Sequence, residues 1–173
     1  LVRHFNLIWV PQLSKASMQK IFVAILDGFL GSGGFGEDVK ELCEPAVKAT
    51  IEIYLKMCEE MLPTPSKSHY TFNLRDIASV VQGVLSAKTK AVGQPADLIR
   101  LWVHENARIY RDRLVTADDR TWFDDLVTKL VPQHFSLPWD EVVKVPMTHL
   151  IYGDFMIPGA DPTKPKVKAH LHT

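Results

Sequence analysis

An arginine just inside the start of a helix is the residue of this chain best placed to do chemistry. Arg75 follows a stiff, proline-marked entry, Leu62-Pro63-Thr64-Pro65, and comes two positions after Asn73, a residue suited to capping a helix. Behind it Ile77, Val80, Val81, Val84 and Leu85 recur at helical spacing, so the spacing predicts a helix from about residue 73 to 87 with Arg75 in its first turn. A guanidinium stays charged and offers planar, forked donors that match phosphate oxygens. The chemistry in prospect is anion binding, with the direction of the side chain set by the helix that carries it.

Other candidates are weaker. Gly31-Ser32-Gly33-Gly34-Phe35-Gly36 is rich in glycine, but a phosphate-cradling loop needs a preceding strand and a Gly-Lys-Ser/Thr entering a helix. Here a helix precedes and Glu37-Asp38 follow, so a flexible connector is expected. His104-Glu105 lacks the second histidine of a zinc protease, and His170 and His172 near the end have no third ligand, so no metal site is assigned. Glu59-Glu60 and Asp124-Asp125 read as solvated surface, and Asp118-Asp119-Arg120 as an exposed, capped helix start. Arg100, Arg108, Arg111 and Arg113 lie with Glu105 and Asp112 in one stretch, where pairs three or four residues apart on a helix are the expected partners. No catalytic triad or strand-linked nucleophile is present, so no residue of this chain is assigned a catalytic role by itself.

The elements that must position Arg75 read as an all-α bundle of about five helices. The first follows Pro11, capped by Ser14 or Ser17, with Met18, Ile21, Phe22, Ile25, Leu26 and Phe29 as its apolar stripe. The second starts at Glu37-Asp38 and runs to about residue 61, carrying Val39, Leu42, Cys43, Ala46, Thr50, Ile53, Tyr54, Met57, Cys58 and Met61 on one face. Pro45 should kink it near residues 41 to 45 rather than divide it. The third is the helix of Arg75, the fourth opens at Pro95-Ala96-Asp97 and reaches Leu114, and the fifth starts after Thr116 and is stopped by Pro132. Short extended pieces are expected at Leu7-Ile8-Trp9-Val10 and at about 148 to 155, in a tail that Pro138, Pro146, Pro158, Pro162 and Pro165 keep from being mostly helix.

Lysine plus arginine and aspartate plus glutamate both number 20, so no global charge favours nucleic acid or an anionic membrane, and a polyanion must be met locally. A membrane-surface helix would need a basic amphipathic face, which is missing. No apolar run approaches the roughly 20 residues that a bilayer crossing requires. Cys43 and Cys58 lie on one predicted helix about 22 Å apart, too far for a disulfide, and read as small core residues of a reducing, cytosolic setting. The chain opens at Leu1 without an initiator methionine, which reads as a piece of something longer.

Ser68-His69-Tyr70-Thr71-Phe72-Asn73-Leu74-Arg75-Asp76, followed by Val80-Val81-Gln82-Gly83, closely resembles the segment that carries the sensor II arginine in the motor ring of dynein heavy chains, the axonemal ones in particular. Further pieces match in order: Arg3-His4-Phe5-Asn6, Glu44-Pro45 through Ile51-Glu52-Ile53-Tyr54, Leu98 through Glu105, Arg111-Asp112-Arg113-Leu114, and Tyr152-Gly153-Asp154-Phe155-Met156. The resemblance covers about residues 1 to 162.

It implies an AAA+ helical lid at residues 11–135, preceded at 1–10 by the last strand of the larger subdomain of the same module. Residues 136–173 would then be a linker and the start of the next module, the lid being that of the third module and the next the fourth. In such modules a nucleotide sits between the α/β part and the lid, so the resemblance makes Arg75 the nucleotide-sensing residue and Arg3 a possible arginine finger toward a neighbouring site. The cofactor implied is ATP or ADP with magnesium in the longer protein and none on this chain alone, which lacks a P-loop and should not hydrolyse ATP. The partners implied are neighbouring AAA+ modules, microtubules and dynein intermediate and light chains, in the cytoplasm, the cytoskeleton and the ciliary or flagellar axoneme. The competing reading is a stand-alone helical protein–protein interaction module that takes a partner in an apolar groove.

Overall fold

A computed structural model describes residues 2–89 and 91–152. The helices are α1 (Lys15–Ser32), α2 (Glu37–Lys40), α3 (Cys43–Glu60), α4 (Leu74–Leu85), α5 (Pro95–Ile109), α6 (Ala117–Phe135) and α7 (Trp139–Val142), with single 3-10 turns at Val2–His4, Pro65–Lys67, Arg111–Arg113 and Met147–His149. Five of them are long, in agreement with the all-α bundle that the apolar spacing predicts. No strand occurs among the described residues: 6–14 carry no regular structure, and a strand there would need a sheet to pair with. The second extended piece falls on the 3-10 turn at Met147–His149 and on residues 150–152 without regular structure, while 153–155 and the Pro158, Pro162, Pro165, His170 and His172 tail lie outside the described residues.

The core forms around α3, which packs against α1, α4, α5 and α6. Its expected face is buried at Cys43, Ala46, Thr50, Ile53 and Met57, and Val47, Ala49 and Ile51 are buried as well. A helix covered on most sides needs more than one apolar stripe. Trp102 of α5 drives into this centre, where its indole N–H donates to Thr50 Oγ1 at 2.8 Å, and the Thr50 hydroxyl in turn donates to the Ala46 carbonyl at 2.7 Å. The polar edge of a fully buried indole is therefore satisfied inside the core. Phe135 meets the same ring edge-on, 5.2 Å between centroids.

Two proline expectations fail in opposite directions. The predicted continuous helix from 37 to 61 is two helices, α2 and α3, joined by a two-residue turn. Pro45 has no N–H to return to the Glu41 carbonyl, so the ladder cannot run through; placed third in α3, it forgoes a bond that no first-turn residue makes within its helix. Pro132, in contrast, does not stop α6, which runs on to Phe135. Val131 and Phe135 are buried on either side of it, and His134 Nε2 meets Glu52 Oε2 at 2.9 Å, so contacts to α3 and α5 hold the last turn despite the lost ladder bond. The fourth predicted helix ends at Ile109 rather than Leu114 and tightens into the 3-10 turn at Arg111–Arg113.

On α1 the buried row is Met18, Phe22, Leu26 and Leu30, whereas Ile21 and Ile25 of the predicted stripe are each 46% exposed. Ser14 caps this helix, accepting from the Ser17 N–H at 3.1 Å. Its exit turns on Gly34, whose φ of +72° is left-handed and suits glycine, as expected of a connector. Cys43 and Cys58 both lie on α3 as free thiols; burial, with Asp27 and Glu44 nearby, pushes Cys43 up to about 11, and burial foremost also raises Cys58. No helix of the described residues is long and apolar enough to cross a membrane.

Candidate anion-binding face at the start of α4

Arg75 is the second residue of α4, and its direction is set by a reciprocal cap. Asn73 Oδ1 accepts from the Arg75 N–H at 2.8 Å, while Asp76 Oδ2 accepts from the Asn73 N–H at 2.8 Å. Below the turn Ile77, Val80, Val81 and Val84 anchor the helix in the core. The Arg75 side chain is exposed, and among the described residues no hydrogen bond or ion pair occupies its guanidinium. A cation in the first turn also faces the positive end of the helix dipole, so its position is electrostatically unfavourable in the chain by itself.

The segment leading into the cap is sewn down at both ends by residues that spacing alone did not single out. Tyr70 is buried, donates its hydroxyl to Asp119 Oδ2 at 2.8 Å, and accepts from the Val115 N–H at 2.9 Å. Lys67 reaches the same carboxylate oxygen at 2.5 Å and lies 5.3 Å from the centre of the Tyr70 ring. Burial by itself raises the Asp119 carboxyl, but bonds from Lys67, Thr116 and Tyr70 bring it below the usual range, and the Asp119 bond raises Lys67. Closer to the cap, Arg113 Nη2 donates to the Thr71 carbonyl at 2.8 Å and to that of His69 at 3.2 Å, Nη1 donates to Asp76 Oδ1 at 2.9 Å, and the guanidinium lies 4.6 Å from the centre of the Phe72 ring.

The arginines expected to pair along one helix divide accordingly. Arg100 with Asp97 at 2.7 Å and Arg108 with Glu105 at 2.6 Å are pairs three residues apart within α5. Arg111 instead makes a two-pronged pair with Asp124 of α6, at 2.7 and 3.0 Å, and Arg113 crosses to α4. Asp124 and Asp119 are therefore structural partners rather than solvated surface, whereas Glu59 and Glu60 are exposed as expected. Arg3 sits exposed on the 3-10 turn at Val2–His4. The structure does not bring Arg3 and Arg75 into contact.

A shallow hollow of about 460 Å³ lies between the end of α3 and the start of α6, but Glu60, Asp118 and Asp119 line it, so it would repel an anion. The face at Arg75 is open instead. Among the described residues none pairs with the Arg75 guanidinium, and a single arginine cannot enclose a triphosphate, so a second body would have to supply the rest of such a site.

The described residues form an all-helical bundle with an outward arginine in the first turn of α4, an architecture that suits a lid. Comparison with protein families gives the same class: residues 46–145 match the model of the AAA+ lid domain, and the chain belongs to that family. Over 93% of its length the chain is 43% identical to dynein axonemal heavy chain 1 of Mus musculus and, equally, to that of Homo sapiens. It is 39% identical over 92% of its length to dynein axonemal heavy chain 6 of Homo sapiens. The chain spans about 4% of the length of each of these relatives. The resemblance to axonemal dynein heavy chains carried by the residues around Arg75 thus extends over most of the sequence.

Proposed function

We propose that this chain is the lid of an AAA+ module in an axonemal dynein-type heavy chain, an ATP-driven microtubule motor of cilia and flagella. In this reading Arg75 contacts the terminal phosphate of a nucleotide held, with magnesium, by the larger subdomain. The lid then takes a different angle with ATP than with ADP and passes that difference round the ring by hinge motion. The lid is that of the third module, residues 1–10 belong to the larger subdomain before it, and residues 136–173 lead into the fourth. Arg3 is the candidate finger for a neighbouring site. The adjoining modules are the direct partners, and microtubules and the intermediate and light chains are partners of the whole motor.

The observation that carries this reading is the exposed Arg75 guanidinium, without a partner among the described residues, on a capped helix inside the segment that matches the AAA+ lid. Apolar surface supports it too: Trp9 is 85% exposed, Phe5, Leu7, Ile8 and Val10 are exposed beside it in sequence, and Ile21 and Ile25 of α1 lack cover. Such an expanse suits a body that other modules cover. In the full heavy chain, Arg75→Ala should weaken ATP binding about tenfold, the size of one lost charge-assisted bond, and leave ADP binding nearly unchanged. Equal affinities in the parent and the variant would remove the sensing role and favour a helical interaction module, which is indifferent to nucleotide.

A further inference from the structure

The geometry points to Arg113 as the positioning residue of Arg75: one guanidinium clamps the 69–72 segment and Asp76 together and so holds the first turn of α4 in the arrangement that turns Arg75 outward. This inference rests on the nucleotide-sensing role proposed for Arg75.

Three acceptors on two sides of the cap meet at Arg113. The carbonyls of His69 and Thr71 belong to the entering segment, and Asp76 Oδ1 belongs to the helix. The other oxygen of that carboxylate, Oδ2, accepts from the Asn73 N–H, so Asp76 is shared between closing the cap and holding Arg113. Phe72, beneath the guanidinium, packs its ring 5.9 Å from that of Tyr110, and its carbonyl lies 3.8 Å from Cys58 Sγ. The clamp is therefore fixed to Tyr110, the residue that ends α5, and to α3 while it grips the entry to α4. Arg113 itself stands in the 3-10 turn between α5 and α6, which is why the early end of α5 matters: the tightened turn lets Arg113 reach back to α4 while Arg111 holds α6.

Charge makes the arrangement specific. Asp76 follows Arg75 directly in sequence, and a carboxylate without a cation there would compete with phosphate for the local field. Arg113 neutralises it, so the uncompensated charge of this first turn is that of Arg75. Removing Arg113 would both loosen the entry and leave a negative charge beside the sensing residue. Lysine restores the charge but is a point donor, without the fork that spans two carbonyls and a carboxylate.

The test uses the full heavy chain in four forms besides the parent: Arg75→Ala, Arg113→Ala, Arg113→Lys, and Arg75→Ala with Arg113→Lys. Two readouts are needed, the affinities for fluorescent ATP and ADP analogues and the amide exchange of residues 69–77, with exchange in α1 and α6 showing that the bundle remains folded. Arg113→Lys should lower the preference for ATP over ADP about tenfold and speed exchange in 69–77, and the double variant should be no worse than Arg75→Ala. Arg75→Ala should lower the preference without faster exchange. Full rescue by lysine of a loss seen with Arg113→Ala would mean that charge balance alone matters, and it overturns positioning. A drop in Arg75→Ala with none in either Arg113 variant removes this inference and leaves the sensing role standing. No drop in Arg75→Ala removes both. Should Arg113→Ala unfold the bundle, the lysine and double variants still decide.

Discussion

A side chain placed for a ligand that arrives from outside should contribute little to its own fold, and Arg75 allows that idea to be tested through the sign of a stability change. In Arg75→Ala the lost interactions are few: the guanidinium is exposed and has no hydrogen-bond or ion-pair partner among the described residues, and the cap uses the backbone N–H of residue 75, which alanine keeps. The gains are a cation removed from the positive end of α4, about 0.3–1 kcal/mol at low ionic strength, and a helix propensity at least as good. Asp76 in the same turn offsets part of the dipole term but is itself bonded to Arg113. The expected net is a stabilisation of about 0.5 kcal/mol, which for a chain of 173 residues raises the melting temperature by about 1–2 °C. The assay is thermal unfolding of the 173-residue chain followed by circular dichroism, at about 20 mM and again at about 500 mM salt, where screening should shrink the difference. A loss of more than about 1 kcal/mol, independent of salt, would show that Arg75 holds the bundle together, a result that refutes the reasoning whatever the nucleotide affinity.

Other consequences are equally direct. Gly83→Ala places a methyl group where the Glu105 carboxylate sits, and that group is 7% exposed and held by Arg108 at 2.6 Å; the displacement should outweigh the better helix propensity and cost about 1–2 kcal/mol by urea unfolding, with Glu105→Ala in the same chain recovering part of it. Because the Asp119 carboxyl titrates below its unfolded value, its contribution is present at neutral pH and is lost as pH falls below about 4 toward the folded value. Asp119→Asn should therefore flatten the acid limb of a stability-against-pH curve measured by urea midpoints, and an unchanged limb would place the titration elsewhere. With the Cys43 thiol pushed up to about 11 and Cys58 also raised, both should react with iodoacetamide at pH 8 far more slowly in the folded chain than in about 6 M guanidinium, as read by mass spectrometry.

The local features of this protein were legible residue by residue. Asn73 before an apolar row, Ser14 or Ser17 after Pro11, and Thr116 before Ala117-Asp118-Asp119 each mark a helix start because a cap is a contact between near neighbours in the chain; the structure selects Ser14 and adds Asp76 as the partner of Asn73. The apolar spacing at Ile77, Val80, Val81 and Val84 marks a buried face for the same reason, and Arg75 could be given a direction from those signals alone. Where two ranges of interaction compete, local reading fails. Pro45 and Pro132 are the same residue type, yet one stands in the first turn of a helix just after a break and the other well inside a helix; buried residues flank both, Cys43, Ala46 and Val47 around the first and Val131 and Phe135 around the second, so residue type by itself does not tell the two outcomes apart.

The partners of charged side chains were legible only where they lie within one helix, as for Arg100 with Asp97 and Arg108 with Glu105. Arg113 finds Asp76 across 37 positions, Lys67 finds Asp119 across 52, and His134 finds Glu52 across 82. Each of these three residues also has an oppositely charged or polar group within a turn or two of itself, so spacing offered a plausible partner in every case and the structure chose another. Amino-acid order determined the five long helices in outline, their caps and the outward arginine, since these follow from interactions within about one turn, but not where α3 begins or where α5 and α6 end. Only the packed bundle decided which carboxylates Arg111, Arg113 and Lys67 meet, because that choice depends on which faces the burial of Trp102, Tyr70 and Phe123 brings together.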